Sequence, residues 1–155
     1  MKLFSTEQVS KYHPDKMADQ VSDAIVTACL KVDKEAHVGC EVLLKGSVCV
    51  IAGEITTKVP VNVERIAIKK LYELEPGKDY TIVNLISEQS PEINRAVRQD
   101  DKIGAGDQGM MFGYATRETE SRLPYGFDLA NRVIKIIERD VAVPGSILKG
   151  DAKLS

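Results

Sequence analysis

The chain has 155 residues, enough for one domain or slightly more and for a sizeable buried core. Its 21 basic and 23 acidic residues give a formal charge of −2 at pH 7, so no basic surface favours nucleic acid or an anionic membrane as a partner. No apolar run reaches secretory or membrane-spanning length, and its three cysteines contain no C-x-x-C pair. We therefore expect a cytoplasmic protein.

The first elements predicted along the chain are a helix and a β-hairpin. Apolar residues at spacings of three and four predict an amphipathic helix from Pro14 to about Leu30. Alternating residues then predict strands over 38–45 and 48–56. Gly46-Ser47 is the predicted turn between them, because glycine can adopt the positive φ that short hairpin turns need.

The rest of the chain predicts further helices and strands, and hence a mixed α/β class. A second helix is predicted to begin at Pro60, and the last one after Pro124. Between and beyond them we expect turns, loops and strands: a turn over 75–77, a strand over 80–86, a polar loop over 87–107, a strand over 110–116 and a turn-like end over 144–155.

Two carboxylates are brought to one face of the predicted hairpin. The turn places Gly39 opposite Glu54, so Glu41 and Glu54 share a face as diagonal neighbours, roughly 7–8 Å apart. Small residues nearby, among them Gly53, would leave room above them. The pair suits a cation or an ammonium group, and a solvated sheet face is the alternative.

The start of the first helix carries an imidazole, a carboxylate and an ammonium group within four residues, His13 to Lys16. Backbone N–H groups and the positive end of the helix dipole attract phosphate at such a position. Asp15 would hold Mg²⁺, while His13 and Lys16 would contact phosphate oxygens. The alternative is that Asp15 only favours the helix dipole.

A glycine-rich string, GAGDQG, occupies residues 104–109. It matches G-x-G-x-x-G formally, but no predicted strand precedes it and no amphipathic helix follows it, so the dinucleotide-binding interpretation fails. It is either a turn that brings Asp107 against a ligand or an ordinary turn. The two histidines and scattered cysteines do not form a zinc site, and no G-x-S-x-G string is present.

Five strings together resemble the methionine adenosyltransferase, or S-adenosylmethionine synthetase, family in order and approximate spacing. They are HPDKMADQVSDAI, CEVLLKGSVCVIAGEITT, QSPEIN, GAGDQGMMFGYATRET and GDAK. The resemblance implies an α+β fold with a mixed or antiparallel sheet and helices on one face. It also implies an N-terminal-like domain over residues 1–102 and an incomplete central-like domain over residues 103–155.

The resemblance further implies a reaction between ATP and methionine. In that family the methionine sulfur attacks C5′ of the ribose and displaces triphosphate, which is then hydrolysed to phosphate and pyrophosphate. The leaving group is polyanionic, so Mg²⁺ and cationic side chains must hold it while the sulfur is aimed in line. No covalent protein nucleophile is needed.

Four residues would act on the phosphate side if the family's roles carry over by motif. His13 would lie near the bridging oxygen or C5′ and stabilise the departing charge, and Asp15 would bind Mg²⁺. Lys16 would lie in the same phosphate site, and Lys153, which is uninformative by itself, would reach it from the GDAK string.

Five further residues would bind K⁺ or substrates by the same resemblance. Glu41 would be the carboxylate of a K⁺ site, whereas Glu54 and Gln89 would hold the amino acid part of methionine. Asp107 would contact the substrates and Asp151 would reach the nucleotide. In the family, each active site lies between two subunits.

Three departures from the family pattern bear on function. Lys11-Tyr12 stands where Glu-Gly is usual, so a bulky ring enters beside the phosphate site. The segment that resembles the family's mobile lid is slightly short. The resemblance also covers less than half of a usual family member, whose rear part supplies a second magnesium carboxylate and several lysines and arginines.

We therefore expect one subunit of a split methionine adenosyltransferase, active in a hetero-oligomer with a second chain that carries the rear motifs. A non-catalytic ligand-binding or regulatory subunit, derived from a truncated synthetase, is the alternative. An unrelated phosphate-ester hydrolase with one metal is a weaker one.

Overall fold

The computed structural model describes residues 3–88, 98–99, 102–103, 109–141, 143, 146–147 and 150–154. Within these residues, the helices are α1 (Pro14–Val32), α2 (Val63–Leu74) and α3 (Tyr125–Val141). The strands are β1 (Gln8–Val9), β2 (His37–Lys45), β3 (Val48–Thr56), β4 (Thr81–Ser87), β5 (Arg98–Gln99), β6 (Lys102–Ile103) and β7 (Lys153–Leu154). None of the described helices is long and apolar enough to cross a membrane.

The chain forms two compact units. The ribbon unit comprises Met1–Met17 and Phe112–Ser155, and the sheet unit comprises Ala18–Met111. The predicted boundary between residues 102 and 103 separates two domains of the complete family fold, which is a different kind of division from these two units. It stays a prediction.

The sheet unit is built on three strands in the order β2-β3-β4. The β2–β3 pair is antiparallel and the β3–β4 pair is parallel, so α2 forms the crossover that a parallel connection needs. One face of β3 is buried, together with apolar residues of α1 and α2. This arrangement confirms the predicted α+β fold, with a mixed sheet and helices on one face.

The core of the sheet unit lies between that face and the helices. Its least exposed apolar residues are Val21, Ile25 and Cys29 of α1, Cys49, Ile51 and Ile55 of β3, and Val63, Ala67 and Leu71 of α2. Burial raises the pKa of the Cys49 thiol to about 11, so this cysteine is a neutral packing group at physiological pH.

The predicted hairpin register is confirmed. Lys45 pairs with Val48 and Gly39 pairs with Glu54, as a turn at Gly46-Ser47 requires. Gly46 has φ +62, the conformation that favours glycine at this position.

The predicted start of α2 at Pro60 is wrong by three residues. The helix begins at Val63, because the Asn62 side chain accepts the Arg65 amide hydrogen at 2.8 Å and so caps the first turn. The predicted turn over 75–77 is confirmed, with Gly77 at φ +84 and the Lys78 amide bonded to the Glu75 carbonyl oxygen.

In the ribbon unit, β1 and β7 form a short antiparallel pair in which Gln8 faces Leu154. Ala130 and Ile134 of α3 are buried, and the Gln8 side-chain amide donates to the Asn131 side-chain oxygen. The prediction of a turn-like end over 144–155 is therefore wrong for Lys153–Leu154, which are a strand.

Two other predicted segments differ from what the structure describes. The strand predicted over residues 110–116 does not form with any described strand as its partner, and Met110, Met111 and Phe112 are exposed. The loop predicted over 87–107 contains the antiparallel pair β5–β6 among its described residues.

Candidate functional site

The start of α1 is capped by His13. Its carbonyl oxygen accepts the Met17 amide hydrogen at 2.8 Å, and its Nδ1 accepts the Asp15 amide hydrogen at 3.3 Å. Pro14, the first helical residue, has no amide hydrogen to satisfy. Because Nδ1 accepts, the neutral ring carries its proton on Nε2, which is a suitable donor to an anionic oxygen.

Asp15 and Lys16 present opposite charges on the first turn of α1. The Asp15 side chain is 90% exposed and its Oδ2 lies 3.8 Å from His13 Nδ1, whereas the His13 side chain is only 25% exposed. Lys16 is exposed as well. A carboxylate at this end of a helix also interacts favourably with the helix dipole. Both interpretations of Asp15 made from the sequence are therefore compatible with its position.

The GDAK string reaches the same region of the ribbon unit through β7. Val9 pairs with Lys153 across the ribbon, and Lys153 Nζ lies 2.8 Å from Glu7 Oε2. The Glu7 carboxylate, with a smaller contribution from Asp15, raises the pKa of Lys153. Lys153 is therefore charged at neutral and mildly alkaline pH. Asp151 is exposed in the preceding turn.

The ribbon unit thus brings together five of the nine residues predicted from the sequence. They are His13, Asp15, Lys16, Asp151 and Lys153. Two cationic groups and an imidazole N–H near a helix N-terminus form an arrangement suited to a polyanion.

The other two described candidates lie on the open face of the sheet unit. Glu41 faces Ala52 across the hairpin, and Ala52 and Glu54 are on the same side of β3, so the two glutamates share this face as predicted. Glu41 is exposed and Glu54 is partly exposed.

Gly53 has a different role from the one the sequence suggested. We expected its small size to leave room above the glutamates, but its φ is +125 and a Cβ there would lie 2.0 Å from the Gly39 carbonyl oxygen. Glycine is needed because the two strand backbones approach closely at this point.

The open face of the sheet is apolar between its charged edges. Leu43 of β2 and Leu85 of β4 are 62% and 61% exposed, and Val48 and Val83 are also exposed. Exposed apolar patches of this kind commonly mark surfaces for association with another protein.

The described residues suit Mg²⁺ only if oxygen atoms of the substrate complete its coordination. They contain no group of three or more His, Cys, Asp or Glu side chains that could hold a metal ion. Mg²⁺, however, is commonly bound by one or two carboxylates together with substrate phosphates, and the exposed Asp15 suits that mode. For K⁺, Glu41 offers a single carboxylate, so this assignment rests on the resemblance.

Two predicted residues, Gln89 and Asp107, lie outside the described residues. Two residues of the ribbon unit were missed: Glu7, the partner of Lys153, and Ser10, which is 1% exposed. Both lie beside a two-residue strand, which is too short to produce a periodic signal. Their importance is visible only in contacts with residues more than a hundred positions away.

Comparisons with known proteins agree with the resemblance found in the sequence. The family model described as "S-adenosylmethionine synthetase, N-terminal domain" matches residues 1–91, and that described as "S-adenosylmethionine synthetase, central domain" matches residues 102–154. The curated S-adenosylmethionine synthase of Helicobacter hepaticus is 47% identical over 84% of this chain, and that of Bacteroides thetaiotaomicron is 44% identical over 97%.

The solved structure of "an Unusual S-adenosylmethionine synthetase from Campylobacter jejuni" is similar over 99% of this chain, with a TM-score of 0.83 and 30% sequence identity. The chain spans 36% and 38% of the two curated relatives and 41% of the solved one.

Proposed function

Because the chain belongs to the S-adenosylmethionine synthetase family, we propose that it supplies the front part of a methionine adenosyltransferase active site. The substrates are ATP and methionine, and the products are S-adenosylmethionine, phosphate and pyrophosphate. We propose that a companion polypeptide carrying the family's rear motifs completes the site in a hetero-oligomer.

The observation that carries this proposal is the meeting of the HPDK and GDAK strings in the ribbon unit. Strand pairing brings Lys153 next to Glu7, and Asp15 is close enough to affect the pKa of Lys153. A helix N-terminus, a lysine that stays charged and an imidazole N–H are the groups that a departing polyphosphate requires.

Each of these residues has a distinct task in the proposed site. His13 donates from Nε2 to an oxygen of the departing polyphosphate, because its Nδ1 is already bonded to the Asp15 amide. Lys16 and Lys153 balance the negative charge that develops on the leaving group. Asp15 would hold Mg²⁺, which when bound neutralises phosphate charge.

The sheet unit would provide the methionine side of the site. Glu54, with Gln89, holds the amino acid part, since a carboxylate pairs with an ammonium group, and Glu41 would hold K⁺. Asp107 contacts the substrates and Asp151 the nucleotide. In the arrangement that the family implies, the residues that bind the substrate methionine face the His13 group of a neighbouring subunit.

Two exposed apolar surfaces support the need for a companion. One is the open sheet face around Leu43 and Leu85, and the other is the segment Met110–Phe112. Apolar side chains on such surfaces gain roughly 25 cal/mol per Å² when another chain covers them.

The experiment that tests this function is turnover with a single lysine replaced. Purified chain is mixed with the companion polypeptide, ATP, methionine, Mg²⁺ and K⁺, and S-adenosylmethionine is measured. Lys153→Met should lower turnover by about 10²–10³-fold, because a cationic donor to the leaving group is lost. Lys70→Met is the matched control, since it removes another lysine–carboxylate pair, at 3.0 Å from Glu73, in the sheet unit.

Three outcomes would contradict the proposal. A Lys153→Met complex with wild-type turnover would favour the regulatory-subunit alternative, in which this chain binds ligand without taking part in the reaction. Full turnover by the chain alone would remove the need for a companion. Triphosphate hydrolysis without any dependence on methionine would instead indicate the hydrolase alternative.

A further inference from the structure

Ser10 is 1% exposed, and each of its polar groups has a partner in the ribbon unit. Its amide donates to the Ala152 carbonyl oxygen at 3.0 Å, and its carbonyl oxygen accepts the His13 amide hydrogen at 3.1 Å. Its hydroxyl donates to the Gly150 carbonyl oxygen and accepts the Tyr12 amide hydrogen, the latter at 3.2 Å. One buried residue is therefore bonded to both strings of the candidate site, to His13 through its carbonyl oxygen and to Gly150 through its hydroxyl.

The two segments that Ser10 joins lead directly to His13 and Lys153 of the candidate site. The Ser10 carbonyl bond closes a four-residue turn that ends at His13, the cap of α1. On the other side, Gly150 and Ala152 lie one to three residues before Lys153. The Ser10 hydroxyl thus helps to set the separation between His13 and Lys153.

The turns at Tyr12 and Gly150, which the Ser10 hydroxyl bridges, also form a junction through direct packing of Tyr12 against Gly150. A Cβ at Gly150 would lie 2.8 Å from Tyr12 Cβ and 3.0 Å from Tyr12 Cγ. The turn that carries Asp151 therefore approaches the Tyr12 side chain as closely as a glycine allows. Any larger residue at position 150 must displace the ring, the turn or both.

We propose that Ser10 is a positioning residue for the polyphosphate side of the site, through its hydroxyl bridge between the turns at Tyr12 and Gly150. The proposal rests on the proposed function. Ser10 is buried and acts through His13 and Lys153. Without the hydroxyl, the Gly150 carbonyl oxygen and the Tyr12 amide lose their shared partner. A displacement of about 1 Å between groups that hold a leaving group can cost on the order of 10²-fold in rate.

The test is the effect of Ser10→Ala on kcat and KM in the assembled complex. We expect kcat to fall about 10- to 100-fold. KM for methionine should stay within about twofold, because Glu54, which is proposed to bind the substrate methionine, lies in the sheet unit. Gly150→Ala disturbs the same junction from the other side and should likewise lower kcat while leaving KM for methionine nearly unchanged. Ser22→Ala is the matched control: its hydroxyl also donates to a backbone carbonyl oxygen, that of Cys40 at 2.8 Å, but in the sheet unit.

A readout that needs no turnover separates this proposal from the proposed function. The ¹⁵N NMR signals of the His13 ring and the Lys153 amide are recorded in the chain with and without each change. Ser10→Ala and Gly150→Ala should move both signals, and Ser22→Ala should leave them in place.

The outcomes are distinguishable. If Ser10→Ala and Ser22→Ala have the same kcat, the positioning role is overturned and the proposed function stands. If the wild-type complex does not turn over, the proposed function fails, and unchanged His13 and Lys153 signals would overturn the positioning role as well. If Ser10→Ala does not fold, Gly150→Ala decides both readouts.

Discussion

At position 53 the backbone leaves no room for a side chain. Gly53 has φ +125, and a Cβ there would meet the Gly39 carbonyl oxygen at 2.0 Å. We expect Gly53→Ala to lower the free energy of unfolding by about 3 kcal/mol or more, because it combines an unfavourable φ with a backbone clash. Urea denaturation followed by circular dichroism measures this loss.

Gly39→Ala is the control for that prediction. A Cβ at Gly39 meets only the Glu54 carbonyl oxygen, at 3.8 Å, which is an ordinary contact. Its effect should stay within about 1 kcal/mol, the range expected for a strand substitution. Equal losses for the two variants would show that the close approach at Gly53 is not the cause.

Single residues also show what sequence reasoning can reach in the candidate site. His13, Asp15 and Lys16 can be identified because they lie within four residues at the start of a strongly periodic helix. Glu41 and Glu54 were found because a two-residue turn fixes the hairpin register. No such local rule identifies Glu7 or Ser10, because the contacts that link them to the candidate site include residues at positions 150–153, far away in the chain.

Among the elements, α1 is tied to the segment after β3 by one buried carboxylate. Asp33, next to the end of α1, accepts the Lys58 and Glu35 amide hydrogens, each at 3.0 Å, and lies 3.5 Å from Lys58 Nζ. The amide hydrogen bond from Lys58 is the main cause that holds the pKa of Asp33 below its usual range. These bonds favour the ionised form, so they stabilise the fold where Asp33 is charged.

The pH dependence of stability follows from that direction. Asp33→Asn should lower the urea midpoint at pH 7. At that pH Asp33 is ionised in the folded and in the unfolded chain, but only the folded chain stabilises the charge with the Lys58 and Glu35 amides. The difference from wild type should shrink as the pH falls below the unfolded value of about 3.9 and through the lowered value of the folded state. Asp23→Asn, at an exposed position of α1, is the control and should change the midpoint little. A gap that stays constant down to pH 2 would contradict the role of the charge.

At the scale of elements, periodicity decided what could be predicted. The nine-residue strands β2 and β3 and the long helices α1 and α3 carry several repeats of their pattern, so their existence was predicted and only their ends shifted. β1 and β7 have two residues each and pair across almost the whole chain, with Gln8 opposite Leu154. Residues 110–116 are apolar enough for a strand, but a strand also needs a neighbour to bond with.

At the scale of the whole molecule, the two units expose apolar surface as well as charged candidates. On the open sheet face, Leu85 lies opposite Ala52, and Leu43 and Val83 lie on the two sides of Val50. This face is bordered by Glu41, Glu54 and Lys45, as expected of an interface with a hydrophobic centre and a polar rim. The proposed hetero-oligomer would cover it.

Leu85→Lys tests whether this face is used in assembly. Because Leu85 is 61% exposed, a lysine there should leave the unfolding free energy of the chain nearly unchanged. In the complex the same ammonium group would be buried against apolar side chains, so we expect the affinity for the companion to fall about tenfold or more. Size-exclusion chromatography with light scattering, over a series of concentrations, measures the assembled fraction.

Ile68→Lys is the matched control for that experiment. Ile68 lies on α2 in the same unit and is 52% exposed, so the change in charge and in exposed apolar area is similar, but it is not on the open sheet face. Assembly should be weakened by Leu85→Lys and not by Ile68→Lys, with turnover falling in proportion to the assembled fraction. Equal assembly of both variants would mean that the open face stays outside the interface, and the companion would then have to bind through another surface such as the exposed segment Met110–Phe112.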